Sequence, residues 1–157
     1  MVDVLPRTRD QRIHLCPKEL DGEPPGLYAY LPDPATPDAP LALISPASAR
    51  AITSSLMQLF EGVEPLEMHP DDAAARGLID GERVRVHNAF GECVTRLAVT
   101  DRVRPGTVSL AKGLWARHTL DGRGPTALAP DAVTAVAGGA CYNDARVDGT
   151  RARRGDA

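Results

Sequence analysis

Leu66-Glu67-Met68-His69-Pro70-Asp71-Asp72-Ala73-Ala74-Ala75-Arg76-Gly77-Leu78-Ile79-Asp80-Gly81-Glu82-Arg83-Val84-Arg85-Val86-His87-Asn88-Ala89-Phe90-Gly91 is the stretch that decides the fold. Leu66-Glu67-Met68 reads as a short strand. Pro70 suits a first helical turn, and Asp71 and Asp72 stand where the helix dipole favours carboxylates. His69 is then a helix-start residue, and the two aspartates are dipole partners. Ala73, Ala74 and Ala75 are strong helix formers, and Gly77 ends the helix as its C′ residue. Leu78 and Ile79 return to the core before the Asp80-Gly81 turn. Glu82 to His87 alternates with the period of a half-buried strand, with Arg83 and Arg85 on its exposed face. Asn88 to Gly91 turns the chain back.

Outward from this stretch the pattern stays β-rich. Glu92 to Thr100 reads as the return strand, with Val94 on one face and Leu97 and Val99 on the other. Arg104-Pro105-Gly106 is a turn and Thr107 to Leu110 the next strand. Upstream, Leu41 to Ile44 is a continuous apolar run ended by Ser45-Pro46, which fits a buried strand. Ser48 to Phe60 predicts a loop followed by a helical turn or two, from the spacing of Ile52, Leu56, Leu59 and Phe60. Lys112 to Pro130 is polar and Gly-rich, a long loop of the kind that carries function. Asp131 to Ala137 fits helix or strand, and Gly138-Gly139-Ala140 leads to a last segment ending near Val147. At least five short strands and one clear helix predict a mainly β protein with short helices, closed or nearly closed into a small barrel.

The ends read differently. Residues 1–40 form an extended lead-in arm, with a short strand at Arg12 to Leu15 stopped by Cys16-Pro17. Pro24, Pro25, Pro32, Pro34, Pro37 and Pro40 each fix φ and remove a donor, so this stretch cannot lie inside a sheet or helix. The folded unit covers 41–148, and 149–157 reads as a disordered tail.

The chain has 157 residues, one domain's worth, and 43% hydrophobic with 25% charged residues is the balance of a soluble globular protein. A net charge of -3 with dispersed basic residues argues against a nucleic-acid partner. The sequence has neither a membrane-length apolar run nor the h-region of a signal peptide, which suggests a cytoplasmic protein. Cys16, Cys93 and Cys141 are odd in number and widely spaced, as free thiols are. Without a C-x-x-C or H-x-x-x-H pair, His14, His69, His87 and His118 suggest no metal site. Gly122 to Ala127 matches G-x-G-x-x-A, but no strand directly precedes it and Pro125 interrupts it, so it reads as a flexible loop. Ser45, Thr53, Ser54 and Ser55 by themselves suggest a polar loop capping a helix. Trp115 fits a core position and a stacking wall equally well.

The run from His69 to Glu92 resembles the molybdopterin dinucleotide-binding domain, the C-terminal domain of molybdenum and tungsten oxidoreductases of the dimethyl sulfoxide reductase type. Many offsets agree together, from the proline and aspartates through the Asp-Gly and Asn-x-x-Gly turns. The resemblance continues through Val99 to Val108, the Leu114-Trp115 pair, the closing Gly138 to Val147 segment, and a lead-in over Pro6 to Leu15. It implies a six-stranded double-psi β-barrel of the aspartate decarboxylase type. It also implies a molybdopterin guanine dinucleotide cofactor carrying Mo or W, whose protein ligand lies outside this chain.

By the same resemblance, Ser45, Ser48, Arg50, Thr53, Ser54 and Ser55 belong to a first cofactor loop. Lys112, Gly113 and Trp115 belong to a second, and Thr126, Gly138 and Gly139 to a third. Hydroxyls, glycines and a lysine suit diphosphates and close backbone approach. Where related sequences often have Asn-Ser in the first loop and Asn-x-Leu-Thr in the third, this chain has Thr53-Ser54 and Thr126-Ala127-Leu128-Ala129, which removes two amides. No catalytic residue is expected. The chain reads as a fragment of a larger bacterial catalytic subunit, monomeric alone, with the remaining domains of that enzyme as its partners. The competing reading is a stand-alone double-psi barrel that binds a protein partner without cofactor. A self-processing decarboxylase of the same barrel type needs a Gly-Ser scission site, and the chain has none.

Overall fold

The computed structural model describes residues 4–18, 21–22, 35–49, 51–134, 138–153 and 155. It divides into two compact units, Met1–Asp33 and Pro34–Ala157. In the first, the strand expected at Arg12 to Leu15 does not form. Local bonds take its place: the Thr8 hydroxyl donates to the Arg12 carbonyl at 2.7 Å, and His14 Nε2 lies 2.9 Å from both carboxylate oxygens of Asp10. His14, foremost, holds the Asp10 carboxyl below its usual range. Of the Pro-rich arm, residues 23–34 lie outside the described residues. Thr36 and Ala39 close a turn that belongs to the second unit.

The second unit is a closed six-stranded barrel. Its elements are β1 (Leu41–Ile44), β2 (Leu66–Met68), α1 (Pro70–Ala75), β3 (Arg83–His87), β4 (Glu92–Val99), β5 (Thr107–Ser109) and β6 (Arg146–Arg151). Around the barrel the order is β1-β5-β2-β4-β3-β6. β1 runs parallel to β5 and β2 parallel to β4; the other pairs are antiparallel.

This order sets where the loops lie. Parallel β1 and β5 finish at the same end of the barrel, and β2 and β6, antiparallel to them, begin there. Two long connections therefore open at one end, residues 45–65 and 110–145. α1 follows β2 and lies beyond the opposite end.

The helix forms as its sequence dictates. His69 Nδ1 accepts from the Asp71 N–H at 3.2 Å, Pro70 occupies the first turn, and Gly77 takes φ 63° past the end. Alternation along β3 buries Val84 and Val86 while Arg83, Arg85 and His87 remain half-buried outside. β4 sends Cys93 and Leu97 into the core. Val94 faces the other way and is buried as well, where the Leu120 N–H donates to its carbonyl at 2.7 Å. The barrel is filled by aliphatic side chains, among them Leu41, Leu43, Leu66, Met68, Val108, Leu110, Leu128 and Val147.

β6 extends past the boundary expected at 148, into the stretch read as a disordered tail. Gly149, Thr150 and Arg151 pair with Val86, Arg85 and Val84, because β3 needs a second neighbour to close the barrel. A β-carbon on Gly149 would sit 3.1 Å from Met68 Cε, so the tip of that side chain would have to give way to a larger residue.

Candidate functional site

The first connection, 45–65, and the start of the second, 110–124, are held together by backbone first. The β1–β5 ladder continues beyond both strands, with Leu110 N–H donating to Ile44 O at 3.1 Å and Lys112 N–H to Pro46 O at 3.0 Å. Ser45 N–H donates to Asn143 Oδ1 at 3.4 Å, which brings in the segment before β6.

Further out, Gly113 turns the chain at φ 78° against the Thr53–Ser54 peptide. A β-carbon on Gly113 would fall 2.4 Å from Thr53 C and 2.8 Å from Ser54 N. Only glycine permits this approach. Thr53 and Leu56 themselves take left-handed backbone, at φ 55° and 68°, although neither residue type favours it. Ser55 N–H closes the turn on Ile52 O at 2.9 Å. Thr53, Ser54, Ser55 and Lys112 are exposed; Ser45 and Ser48 are half-buried.

A side-chain seam then joins the two loops. Trp115 Nε1–H donates to Ser54 O at 2.9 Å, Arg117 Nη2 to Met57 O at 2.8 Å, and His118 Nε2 lies 3.2 Å from Phe60 O. The receiving carbonyls recur every third residue along the first loop, around the 3-10 turn Met57–Leu59. The Arg117 guanidinium lies 5.1 Å from the Trp115 ring centre. His118 is buried, its Nδ1 accepts from Trp115 N–H at 3.2 Å, and its carbonyl accepts from Glu64 N–H at 2.8 Å.

Two clefts flank this seam, and both are lined by Ser48 and Glu64. One, of about 230 Å³, is bounded by Pro46 to Ala49, Pro65, Glu67, Ser109 and Ala111. Glu67 is paired there with Arg102. The other is walled by Met57, Phe60, Leu114 and His118. Trp115 is 40% exposed, so it is not a core residue.

The structure thus brings Ser45, Ser48, Thr53, Ser54, Ser55, Lys112, Gly113 and Trp115 into one stitched pair of loops. Thr126, Gly138 and Gly139 stand on other supports. Thr126 lies exposed on the 3-10 turn Pro125–Leu128, which is seated on the β3–β4 turn. There a β-carbon on Gly91 would fall 2.6 Å from Ala127 O, and Asn88 Nδ2 donates to Leu128 O at 2.8 Å and Arg146 O at 3.0 Å. Gly138 and Gly139 close a turn on Thr134, whose hydroxyl accepts from Gly139 N–H at 3.0 Å. Arg50 lies outside the described residues.

Sequence reasoning passed over Arg117 and His118. The signal was the i, i+3 spacing of Trp115 and His118, which a 3-10 turn eclipses. Glu64 and Asn143 carried no local signal, because their roles depend on distant partners. Among the described residues no group of three or more His, Cys, Asp and Glu is placed to hold a metal ion. No helix among them is long and apolar enough to cross a membrane.

The model of the family described as "Molydopterin dinucleotide binding domain" matches residues 39–146. A dimethyl sulfoxide/trimethylamine N-oxide reductase from Rhodobacter capsulatus is 53% identical over 55 residues, 35% of this chain and 7% of that protein. The catalytic chain of a putative dimethyl sulfoxide reductase from Halobacterium salinarum is 43% identical over 88 residues, 55% of this chain and 10% of that protein. The matched stretches thus span a tenth or less of these curated relatives. The acetylene hydratase structure from Pelobacter acetylenicus superposes with a TM-score of 0.62 at 16% identity, over 73% of this chain and 18% of that one, a likeness of fold.

Proposed function

The chain belongs to the molydopterin dinucleotide binding domain family, and from that premise we propose that its two stitched loops hold the guanine nucleotide end of a molybdopterin guanine dinucleotide. The domain would work as one part of a larger molybdenum or tungsten oxidoreductase, a setting supported by its homology to far longer reductase catalytic chains. The remaining domains of that enzyme are its proposed partners. Ile52, Leu56 and Leu59, all exposed on the first loop, give an apolar surface for such neighbours. The double-psi winding is part of the same reading.

The residues suit the group. The hydroxyls of Ser48, Thr53, Ser54 and Ser55 and the Lys112 ammonium are donors of the kind a diphosphate needs. Gly113 lets the two donor-bearing loops approach each other closely. Glu64 lines both clefts, and a carboxylate is the acceptor that guanine's ring N–H and exocyclic amine require; adenine presents no such pair. The exposed Trp115 face offers a stacking surface. Thr126, Gly138, Gly139 and Arg50 are assigned to the same cofactor by resemblance. When bound, the group would supply the metal-centred redox chemistry, with the metal's protein ligand on another domain.

The observation that carries this reading is the close contact of Gly113 with the Thr53–Ser54 peptide, which joins the two donor-bearing loops. Calorimetric titration of the 157-residue chain with GDP and with ADP tests it. Saturable binding of GDP, and weaker or no binding of ADP, is expected. Equal affinity for the two removes the guanine assignment, and no heat with either removes the nucleotide site.

A further inference from the structure

We propose that His118 is a positioning residue: as the neutral, Nε2-protonated imidazole it fixes Trp115, and with Arg117 it locks the two loops into one rigid wall of the site. The inference rests on the nucleotide-site reading for its functional meaning, but the geometry of the seam stands independently of it.

The tautomer follows from the partners. Trp115 N–H is a donor only, so Nδ1, 3.2 Å away, must present a lone pair. Phe60 O is an acceptor only, so Nε2, also 3.2 Å away, must carry the proton. The two nitrogens therefore do different work: Nδ1 holds the backbone that carries Trp115, and Nε2 ties that backbone to the far end of the first loop. His118 is 2% exposed, so neither partner is readily replaced by water.

The rest of the seam depends on this anchor. Trp115 Nε1–H reaches Ser54 O, next to the left-handed Thr53, and Arg117 reaches Met57 O, next to the left-handed Leu56. The two strained positions of the first loop are thus each adjoined by a carbonyl that the second loop holds. A conformation that Thr and Leu disfavour persists only where the surroundings over-determine it. Here the surroundings include Trp115, Arg117 and His118, beside the Gly113 contact and the first loop's own turn bonds, Ser55 N–H to Ile52 O and Leu59 N–H to Leu56 O.

Trp115 is the only tryptophan in the chain, so its fluorescence reports the seam directly. Two substitutions separate the functions of the two nitrogens. In H118N the amide oxygen can stand near Nδ1 and accept from Trp115 N–H, whereas in H118Q the amide nitrogen reaches toward Phe60 O and the acceptor for Trp115 is lost. Acrylamide quenching of Trp115 in the ligand-free 157-residue chain is expected to rise in H118Q and to stay near wild type in H118N. GDP binding is expected to weaken about five-fold in H118Q, the effect of one lost hydrogen bond. Quenching that is unchanged in H118Q, or raised equally in both variants, overturns the role given to Nδ1. If H118Q does not fold, R117A tests the same seam from an exposed position, and unchanged Trp115 quenching there overturns the inference. Wild-type protein that binds no GDP overturns the nucleotide reading alone, since quenching without ligand still decides the role of His118.

Discussion

The Cα of Gly113 faces the Thr53 peptide so closely that a β-carbon would fall 2.4 Å from the Thr53 carbonyl carbon and 2.6 Å from its oxygen. Gly106 has the same φ of 78°, but a β-carbon there meets nothing within 4 Å. The pair separates conformational cost from contact cost. Gly106→Ala is expected to destabilise by about 1–2 kcal/mol, the left-handed penalty alone. Gly113→Ala adds the displacement of a packed loop and is expected to cost about 3 kcal/mol. Urea unfolding of the two variants checks this, and equal losses would mean that the loops move apart freely.

Arg76 joins α1 to the barrel. Its Nε donates to Asp148 Oδ1 at 2.7 Å and its Nη1 to Asp72 O at 3.0 Å, with only 16% of its side chain exposed. Removing a mostly buried charged donor leaves Asp148 without that partner. Arg76→Ala is expected to lower stability by about 2 kcal/mol. Arg76→Lys should recover only part of this, because one ammonium cannot reproduce the fork. Denaturant midpoints at constant slope give the comparison.

Cys93 is expected to make stability fall in alkali. Burial first, and then the nearby Asp121 carboxylate, push its thiol from 9.0 up to about 12. Above pH 9 the unfolded chain loses this proton while the folded chain keeps it. Stability should therefore decline between pH 9 and 12, with a slope of up to about 1.4 kcal/mol per pH unit from this one group. Cys93→Ala should remove that component, and the native thiol should resist alkylation until the protein unfolds.

His87 acts at the other end of the scale. Burial, and then the Arg85 charge, lower its pKa from 6.5. As pH falls below 6.5 the unfolded chain takes up a proton that the folded chain refuses, so stability should fall there. His87→Gln should flatten that acid limb in thermal melts across pH, and an unchanged limb would assign it to other groups.

The strands and the helix were legible because their information is local. Alternation in Glu82 to His87, the Pro70–Asp72 helix start and the Asn88–Gly91 turn each specify their own geometry. Asn88 shows how: its side-chain oxygen accepts from the N–H groups of Phe90 and Gly91, two and three residues on, and so closes the turn from within. The end of β6 was not legible, since Gly149-Thr150-Arg151 has the composition of a tail and becomes a strand only because β3 needs a neighbour. Arg12 to Leu15 failed in the opposite sense, with strand-like residues and no ladder to join. The candidate loops were legible as donor-rich stretches, but their assembly was not. Trp115 meets Ser54 across 61 residues and His118 meets Phe60 across 58, and no local pattern encodes such pairings. The left-handed Thr53 and Leu56 were hidden for the same reason, because the restraint comes from the other loop.

Whether the stitched loops form the cofactor's nucleotide site is tested most directly by titrating purified molybdopterin guanine dinucleotide into the wild-type chain and into Gly113→Ala, following the pterin signal and the Trp115 emission together. Saturable binding with a Trp115 change is predicted in the wild type, lost or much weakened in Gly113→Ala. A folded wild-type protein that leaves both signals unchanged, or a Gly113→Ala variant that binds as well as wild type, would contradict it.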